Sequence, residues 1–153
     1  MRARRHLLLV PLLCAPLLAC IMAPSEEKIA NASYGSRPLD YRNTIRQHLS
    51  SVLRNPDAAQ YRFLNTPRKG WTSVGGREFG WVVCAEVSTK RRDGYTRFKP
   101  YFFLLRGNEV VKELGGHDEY TETFARSSCK KFVSKSRAEK SESMRSGSSA
   151  LIQ

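Results

Sequence analysis

The sequence has few of the side chains from which active sites are built. It contains three histidines in 153 residues, and none of them belongs to the His-Glu-x-x-His pattern of zinc hydrolases. The Gly-x-Ser-x-Gly turn of α/β-hydrolases is missing, and so is a glycine-rich phosphate loop that ends in Lys-Ser/Thr. We therefore expect a protein that is not an enzyme and that holds no metal and no cofactor.

Acidic residues are also scarce. The chain has 26 Lys and Arg but only 14 Asp and Glu, which gives a net charge of +12. A chain this basic is often a nucleic-acid binder. The N-terminal segment, however, predicts export, and export argues against nucleic acid as the partner. The anionic partners that remain are lipid head groups, lipopolysaccharide, cell-wall polymers and acidic envelope proteins. The alternative is a surface whose charge serves only to keep it well solvated.

The first 19 residues have the three parts of a secretory signal peptide. Arginines at the start precede a leucine-rich apolar run, and small Ala19 lies at the expected cleavage point. The stretch Leu17-Leu18-Ala19-Cys20 resembles the bacterial lipobox, in which the cysteine receives acyl chains such as palmitate and becomes the new N-terminus. The sequence thus predicts a signal peptide over residues 1–19 and a lipid on Cys20. Plain cleavage and an uncleaved membrane anchor are the alternatives.

Residues 20–37 are expected to form a flexible tether. Proline, serine and glycine punctuate this stretch, and no apolar period is sustained in it. Ile21 and not Asp follows Cys20, which indicates, by analogy with known lipoproteins, the periplasmic face of the outer membrane. The prediction is therefore a domain held to the cell envelope through lipid on Cys20.

Two of the four cysteines are left for the exported domain. Cys14 lies in the signal peptide and Cys20 is the acylation site, so Cys84 and Cys129 remain. Export places this pair in an oxidising compartment, which favours a disulfide between them. A metal site and a thiol nucleophile are the alternatives, but the cysteines and histidines lack the close spacing of zinc ligands.

The pattern over residues 38–133 predicts a small α+β domain. Apolar residues recur at helical spacing over 39–54, Asp40 is placed as the N-cap, and Pro56 ends the helix. A second helix is predicted over 120–132 and is linked to the sheet by the disulfide. The serine-rich residues 134–153 contain no aromatic side chain and are expected to be a disordered tail.

Between the two helices, alternating segments predict an antiparallel meander of three or four strands. Val83 and Val87 should face the first helix, whereas Val82 should face the second. The stretch 65–80 is rich in glycine and is expected to be an irregular loop. The predicted strands cover residues 60–64, 81–90, 97–105 and 109–114.

Two short stretches resemble motifs of small, functionally uncharacterised bacterial envelope lipoproteins. Residues 55–63 are similar to a motif that reads roughly Lys-Asp-Pro-x-Ser-Ala-x-Phe-Arg. Residues 84–91 and the following Asp93-Gly94-Tyr95 resemble Cys-Gly-x-Val-Asn-Ala-Lys-Asn and then Gly-Gly-Tyr. The resemblance covers about residues 40–112. It implies export and a helix–strand–meander order, and it brings no activity.

The hairpin expected around Asp93-Gly94 is the most basic short segment of the domain. Five cations and one aromatic residue surround a single acid, Asp93, and they are our candidate surface for phosphates or an acidic protein. Ordinary protection of a sheet end by charge is the alternative reading. The candidate residues are Lys90, Arg91, Arg92, Tyr95, Arg97 and Lys99.

The sequence as a whole predicts an exported, lipid-anchored envelope protein with a non-catalytic binding or structural role and an unknown partner. The alternative is a periplasmic enzyme inhibitor that uses the hairpin at 90–99 or the loop at 65–80. A hydrolase based on His117 and Asp118 is a third reading. We favour instead a polar connector in which these residues cap the second helix. We expect His48 to lie at the boundary of the core.

Overall fold

A computed structural model of the protein describes residues 23–149. The predicted signal peptide, the predicted lipid attachment site Cys20 and the last four residues lie outside the described part of the chain. Within the described range, no helix is both long enough and apolar enough to span a bilayer.

The described chain forms three helices and seven strands that pair throughout in antiparallel fashion. The long strand β3 is central: β1 and β2 pair with one of its edges, β6 with the other, and β7 pairs with β6. The predicted α+β fold is confirmed. In chain order, the elements are α1 Glu26–Ala30, α2 Tyr41–Ser50, β1 Gln60–Phe63, β2 Arg68–Thr72, β3 Glu78–Ser88, β4 Lys90–Arg91, β5 Gly94–Tyr95, β6 Lys99–Arg106, β7 Glu109–Gly115 and α3 Glu119–Ser149.

The sheet separates two hydrophobic clusters, one under each long helix. Successive side chains of a strand point to opposite faces, so β3 contributes to both clusters, as the sequence predicts. The α2 face buries Ile45, Leu49, Val83, Ala85, Val87, Tyr101, Phe103 and Leu105. The α3 face buries Val82, Cys84, Phe102, Leu104, Leu114, Ala125, Cys129 and Phe132.

Helix α2 begins at Tyr41, two residues after the predicted start at Leu39, and also ends earlier than predicted. The Asp40 carboxylate accepts a hydrogen bond from the Asn43 backbone N–H at 3.3 Å, which confirms its role as N-cap. The helix ends at Ser50, four residues before the predicted end at Arg54. The next backbone N–H, that of Ser51, donates to the carbonyl of His48 three residues earlier, which is the pattern of a turn and not that of an α-helix.

The stretch 65–80, expected to be an irregular loop, instead contains β2 and the start of β3. Gly70 of β2 lies directly opposite Gly80 of β3. A Cβ on Gly70 would lie 2.6 Å from the side chain of Val82, and one on Gly80 would lie 2.7 Å from the Leu105 carbonyl oxygen. These glycines therefore allow close packing within the sheet, and their presence does not mark a loop.

The predicted flexible tether at 20–37 needs correction for the residues that the structure describes. This segment forms the short helix α1 and then packs against the sheet. The buried ring of Tyr34 meets Phe79 edge-on at 5.8 Å, and the Trp81 indole N–H donates to the Gly35 carbonyl at 3.1 Å. Contacts with the distant sheet hold the segment in place. Its ordered structure could therefore not be predicted from a local apolar period.

The predicted disordered tail also needs correction, because α3 continues through residues 134–149. This stretch has no proline and only one glycine, Gly147. Its lysines, arginines, glutamates and alanine favour a helix, and each serine costs only a few tenths of a kcal/mol relative to alanine. The serine content therefore lowers the helical tendency without removing it.

Candidate binding surface

Strands β4 and β5 form a two-stranded ribbon of their own beyond the end of β3, so the predicted hairpin is confirmed. Arg91 pairs with Gly94, which leaves Arg92 and Asp93 as the two turn residues. Gly94 has a φ of +123°, a conformation that L side chains rarely adopt. The glycine that signals the hairpin in the sequence is thus also required by its backbone.

The base of the ribbon is fixed by hydrogen bonds from both chain directions. The buried Ser88 hydroxyl donates to the Thr96 carbonyl at 2.6 Å. The Thr96 N–H donates to the Thr89 carbonyl at 2.9 Å, and the Thr89 N–H donates to the Thr96 hydroxyl at 3.0 Å. The ribbon therefore leaves the sheet in one defined direction.

Two of the six candidate residues hold the ribbon to α3. Arg97 and Lys99 both reach the Glu122 carboxylate, at 2.5 and 3.1 Å. Lys99 also donates to the Gly116 carbonyl at 2.8 Å. The Glu122 residue is only 5% exposed, so its carboxylate is shielded from water, whereas the Arg97 side chain is 63% exposed. Arg97 and Lys99 thus have an intramolecular role, which the sequence prediction did not foresee.

The electrostatics of Glu122 agree with this arrangement. Burial alone would raise the pKa of its carboxyl group, but the hydrogen bonds and positive charges of Arg97 and Lys99 outweigh burial and hold the pKa below its ordinary value. Glu122 is therefore ionised at neutral pH, and both cations have a charged partner there.

The other four candidate residues form an exposed group, which we call the hairpin tip. Lys90, Arg91 and Arg92 are all exposed, and Tyr95 is 50% exposed. Asp93 is the single acid among residues 90–95. The tip thus presents three cations and an aromatic ring to solvent on a ribbon whose base is fixed.

The residues considered for hydrolysis lie in a connector that caps a helix. The Asp118 carboxylate accepts from the Thr121 N–H at 2.8 Å at the start of α3. This backbone hydrogen bond is the main reason that the pKa of Asp118 is lowered. His117 lies 3.3 Å from Glu113. The predicted capping role is confirmed.

His48 lies at the edge of the core, as expected, and contacts a residue that the sequence did not single out. Its Nε2 is 2.7 Å from Oε2 of Glu113 on β7. The same carboxylate therefore has histidines on two sides. Within residues 23–149, no group of three His, Cys, Asp or Glu residues is placed to hold a metal ion.

The predicted disulfide is confirmed. Cys84 on β3 and Cys129 on α3 are bonded, with their Cα atoms 5.8 Å apart, a typical separation for a disulfide. The bond joins the central strand to the helix that also carries Glu122. Sheet, helix and hairpin base are thus connected by one covalent bond and one buried carboxylate.

Glu122 is the residue of this surface that the sequence reading missed. It shares a helical face with Ala125, Cys129 and Phe132, three buried residues of α3. An acid on an apolar face needs a cationic partner, because burying an unpaired charge is costly. The position of Glu122 on the apolar face of the helix could therefore have predicted a cationic partner on the sheet.

Comparison with known proteins finds no matching protein-family model, no matching curated protein and no matching solved structure. The resemblance of residues 40–112 to envelope lipoproteins therefore stays a prediction.

Proposed function

We propose that the protein is an exported, lipid-anchored envelope protein with a non-catalytic binding role, and that the hairpin tip is its partner-binding surface. The observation that carries the proposal is the separation of the cations into two groups. Arg97 and Lys99 fix the ribbon to Glu122, whereas Lys90, Arg91 and Arg92 stay exposed beside Tyr95.

A fixed ribbon with exposed charge suits recognition of an acidic partner. Complementary charge speeds the encounter and selects among partners. A segment that is already ordered loses less conformational entropy when it binds. Arginine and tyrosine are also among the residues that most often dominate binding energy. These properties favour a specific acidic protein surface over loose association with any polyanion.

The geometry also favours a partner that lies away from the anchoring membrane. Strand β3 has 11 residues and is about 33 Å long at the usual rise per residue. The N-terminal segment packs beside Phe79 and Trp81 at the beginning of β3, while the hairpin follows its end. A lipid on Cys20 would place the tip on the far side of the domain.

The disulfide supports export. A bond such as Cys84–Cys129 forms and persists in oxidising compartments and is rare in the cytosol. The disulfide thus supports our proposal of a cell-envelope location, and Ile21 after Cys20 favours the periplasmic face of the outer membrane. The intact mass of the membrane-extracted protein tests this placement. Acyl chains on Cys20 should add to the mass, and reduction should add two hydrogen atoms.

Charge reversal tests the tip. We expect Arg91→Glu/Arg92→Glu to abolish the crosslinked partner band that the native protein gives in membranes. The matched control is Arg126→Glu/Lys130→Glu, which makes the same charge change at two exposed positions of α3. Equal partner recovery with the tip variant and the native chain would show that the tip is not the binding surface. Equal loss in both variants would point to net charge alone.

Inhibition of an envelope enzyme is the second candidate function, and the fixed, projecting tip is the observation that favours it. The other inhibitory segment considered, residues 65–80, offers less, because β2 incorporates part of it into the sheet. If the captured partner is an enzyme, adding the native protein should lower its activity, and the tip variant should not. An unaffected activity leaves the binding proposal and removes inhibition.

A further inference from the structure

A second basic surface, this one concave, lies at the opposite end of the sheet from the hairpin. It is a groove of about 540 Å³ along β2, between α1 and α3. None of the described residues that line it is acidic. We call it the basic–aromatic groove after the six side chains that define it: Tyr34, Lys69, Trp71, Lys131, Phe132 and Lys135.

The groove is built so that its cations lie beside aromatic rings. Lys69 Nζ lies 5.1 Å from the centre of the Tyr34 ring, and Lys131 Nζ lies 5.5 Å from that of Trp71. Gly70 makes room for the Phe132 ring, since a Cβ there would lie 2.8 Å from that ring. Cations are attracted to aromatic ring faces, so this arrangement presents lysine side chains and apolar ring surface side by side. The groove therefore suits a ligand that is anionic at one end and apolar at the other.

One wall of the groove lies close in sequence to the predicted lipid site, and this proximity indicates which ligand is available to it. Ile29 of α1 forms part of its wall. The first described residue is Ala23, and Cys20 precedes it by about three residues, which span at most about 10 Å when fully extended. A lipid on Cys20 therefore keeps the groove close to the head groups of the membrane in which that lipid is inserted.

We propose that the basic–aromatic groove binds the phosphate-bearing head group of an anionic phospholipid in the anchoring membrane. Each lysine near an anionic membrane surface raises the affinity for that surface about fivefold. Tryptophan and tyrosine side chains are enriched at membrane surfaces, at the level of the lipid head groups. An acidic peptide would satisfy the same charges, but the short connection to Cys20 favours the lipid. The inference rests on the proposed lipid anchor for this choice of ligand.

Trp71 provides a direct test, because it lines the groove. The membrane-extracted protein is placed in vesicles of phosphatidylcholine alone or mixed with phosphatidylglycerol, with bromine on the acyl chains of one lipid at a time. We expect brominated phosphatidylglycerol to quench the tryptophan fluorescence of the native protein more strongly than brominated phosphatidylcholine at the same fraction. The quenching should disappear in Trp71→Phe, which leaves Trp81 as the remaining tryptophan.

Neutralising two lysines tests the charge requirement. We expect Lys131→Gln/Lys135→Gln to need at least about tenfold more phosphatidylglycerol for the same quenching, given the contribution of each lysine near an anionic surface. The matched control is Arg126→Gln/Lys130→Gln, which removes two exposed cations at the same spacing on the same helix, outside the groove. The control should need less than about threefold more phosphatidylglycerol for the same quenching. Its cations lie outside the groove, and the attraction of exposed cations to the membrane is screened over a Debye length.

Three results would overturn the inference. Equal quenching of the native protein by both brominated lipids would show no preference for the anionic head group, and this comparison requires no variant. An equal effect of the groove pair and the control pair would show general attraction by charge. Full reversal by an acidic peptide, at a charge concentration at which inorganic phosphate has no effect, would show that the groove prefers a peptide to the lipid head group. If the intact mass shows no acyl chain on Cys20 while the quenching still depends on the groove lysines, the anchor proposal fails and the groove inference stands.

Discussion

Replacing Glu122 with glutamine tests the assignment of Arg97 and Lys99 to the hairpin base. The substitution keeps the shape of the side chain and removes the charge that both cations contact at 2.5 and 3.1 Å. Hydrogen bonds to charged groups contribute about 1.5–3 kcal/mol each to stability. Because the Arg97 side chain is 63% exposed, its share is reduced by solvent. We expect a loss of about 2 kcal/mol in the free energy of unfolding.

The matched control is Glu119→Gln. Glu119 and Glu122 both lie in the first turn of α3, so both substitutions lose the favourable interaction of an acid with the helix N-terminus, about 0.3–1 kcal/mol. Glu119 is exposed. The difference between the two variants therefore isolates the contacts with Arg97 and Lys99.

Urea denaturation at several pH values is the assay. The pKa of Glu122 is lower in the folded protein than its usual value of 4.5, so its contribution is fully present above pH 4.5 and is lost as the pH falls through the folded pKa. The stability difference between native protein and Glu122→Gln should therefore shrink below pH 4.5. A difference no larger than that of Glu119→Gln, or one that does not change with pH, would refute the reasoning.

Three further predictions concern the sheet. Replacing Cys84 and Cys129 with alanine opens a loop with a sequence separation of 45 and should cost about 4 kcal/mol of unfolding free energy in urea denaturation; an unchanged midpoint would contradict this. Burial raises the pKa of Tyr101 to about 12 from 10.0, so native stability should fall between about pH 10 and 12, and the fall should be smaller in Tyr101→Phe; because burial also raises the pKa of Tyr61, part of the fall should remain. Gly115→Ala places a Cβ 2.1 Å from the Pro100 carbonyl oxygen at a φ of +115°; the loss of unfolding free energy should exceed that of Gly94→Ala, where φ is also positive and the space is open.

Local patterns were sufficient to predict the elements that follow from neighbouring residues. Asp40 caps α2 because it immediately precedes the apolar period. Alternation in β3 places Val83 and Val82 on opposite faces, as the strand period requires. The sequence predicts the pairing of Cys84 with Cys129 by assigning the other two cysteines to a predicted signal peptide and a predicted lipid site, and the structure confirms the pair. Each prediction depends on a short stretch or on a count.

Features that depend on distant packing were not predictable in this way. Arg97 and Lys99 look like the exposed cations beside them in sequence, and only the docking of α3 brings Glu122 to them. Gly70 indicates a loop until the ring of Phe132 is placed above it. Tyr34 lies in a polar stretch without an apolar period, and it is buried only because it contacts Phe79 on the distant sheet. In each case the partner lies more than 20 residues away in the chain.

The position of β3 has a mechanical consequence. The strand runs from the end of the domain where the N-terminal segment packs to the base of the hairpin ribbon, and it is paired on both edges. A partner that pulls on the tip loads β3 along its own axis. Its ladder hydrogen bonds then share the force and have to break together, whereas a strand pulled sideways loses them one at a time. The bond from Cys84 to Cys129 prevents β3 from sliding past α3. The hairpin can therefore bear tension without unfolding the domain from its edge.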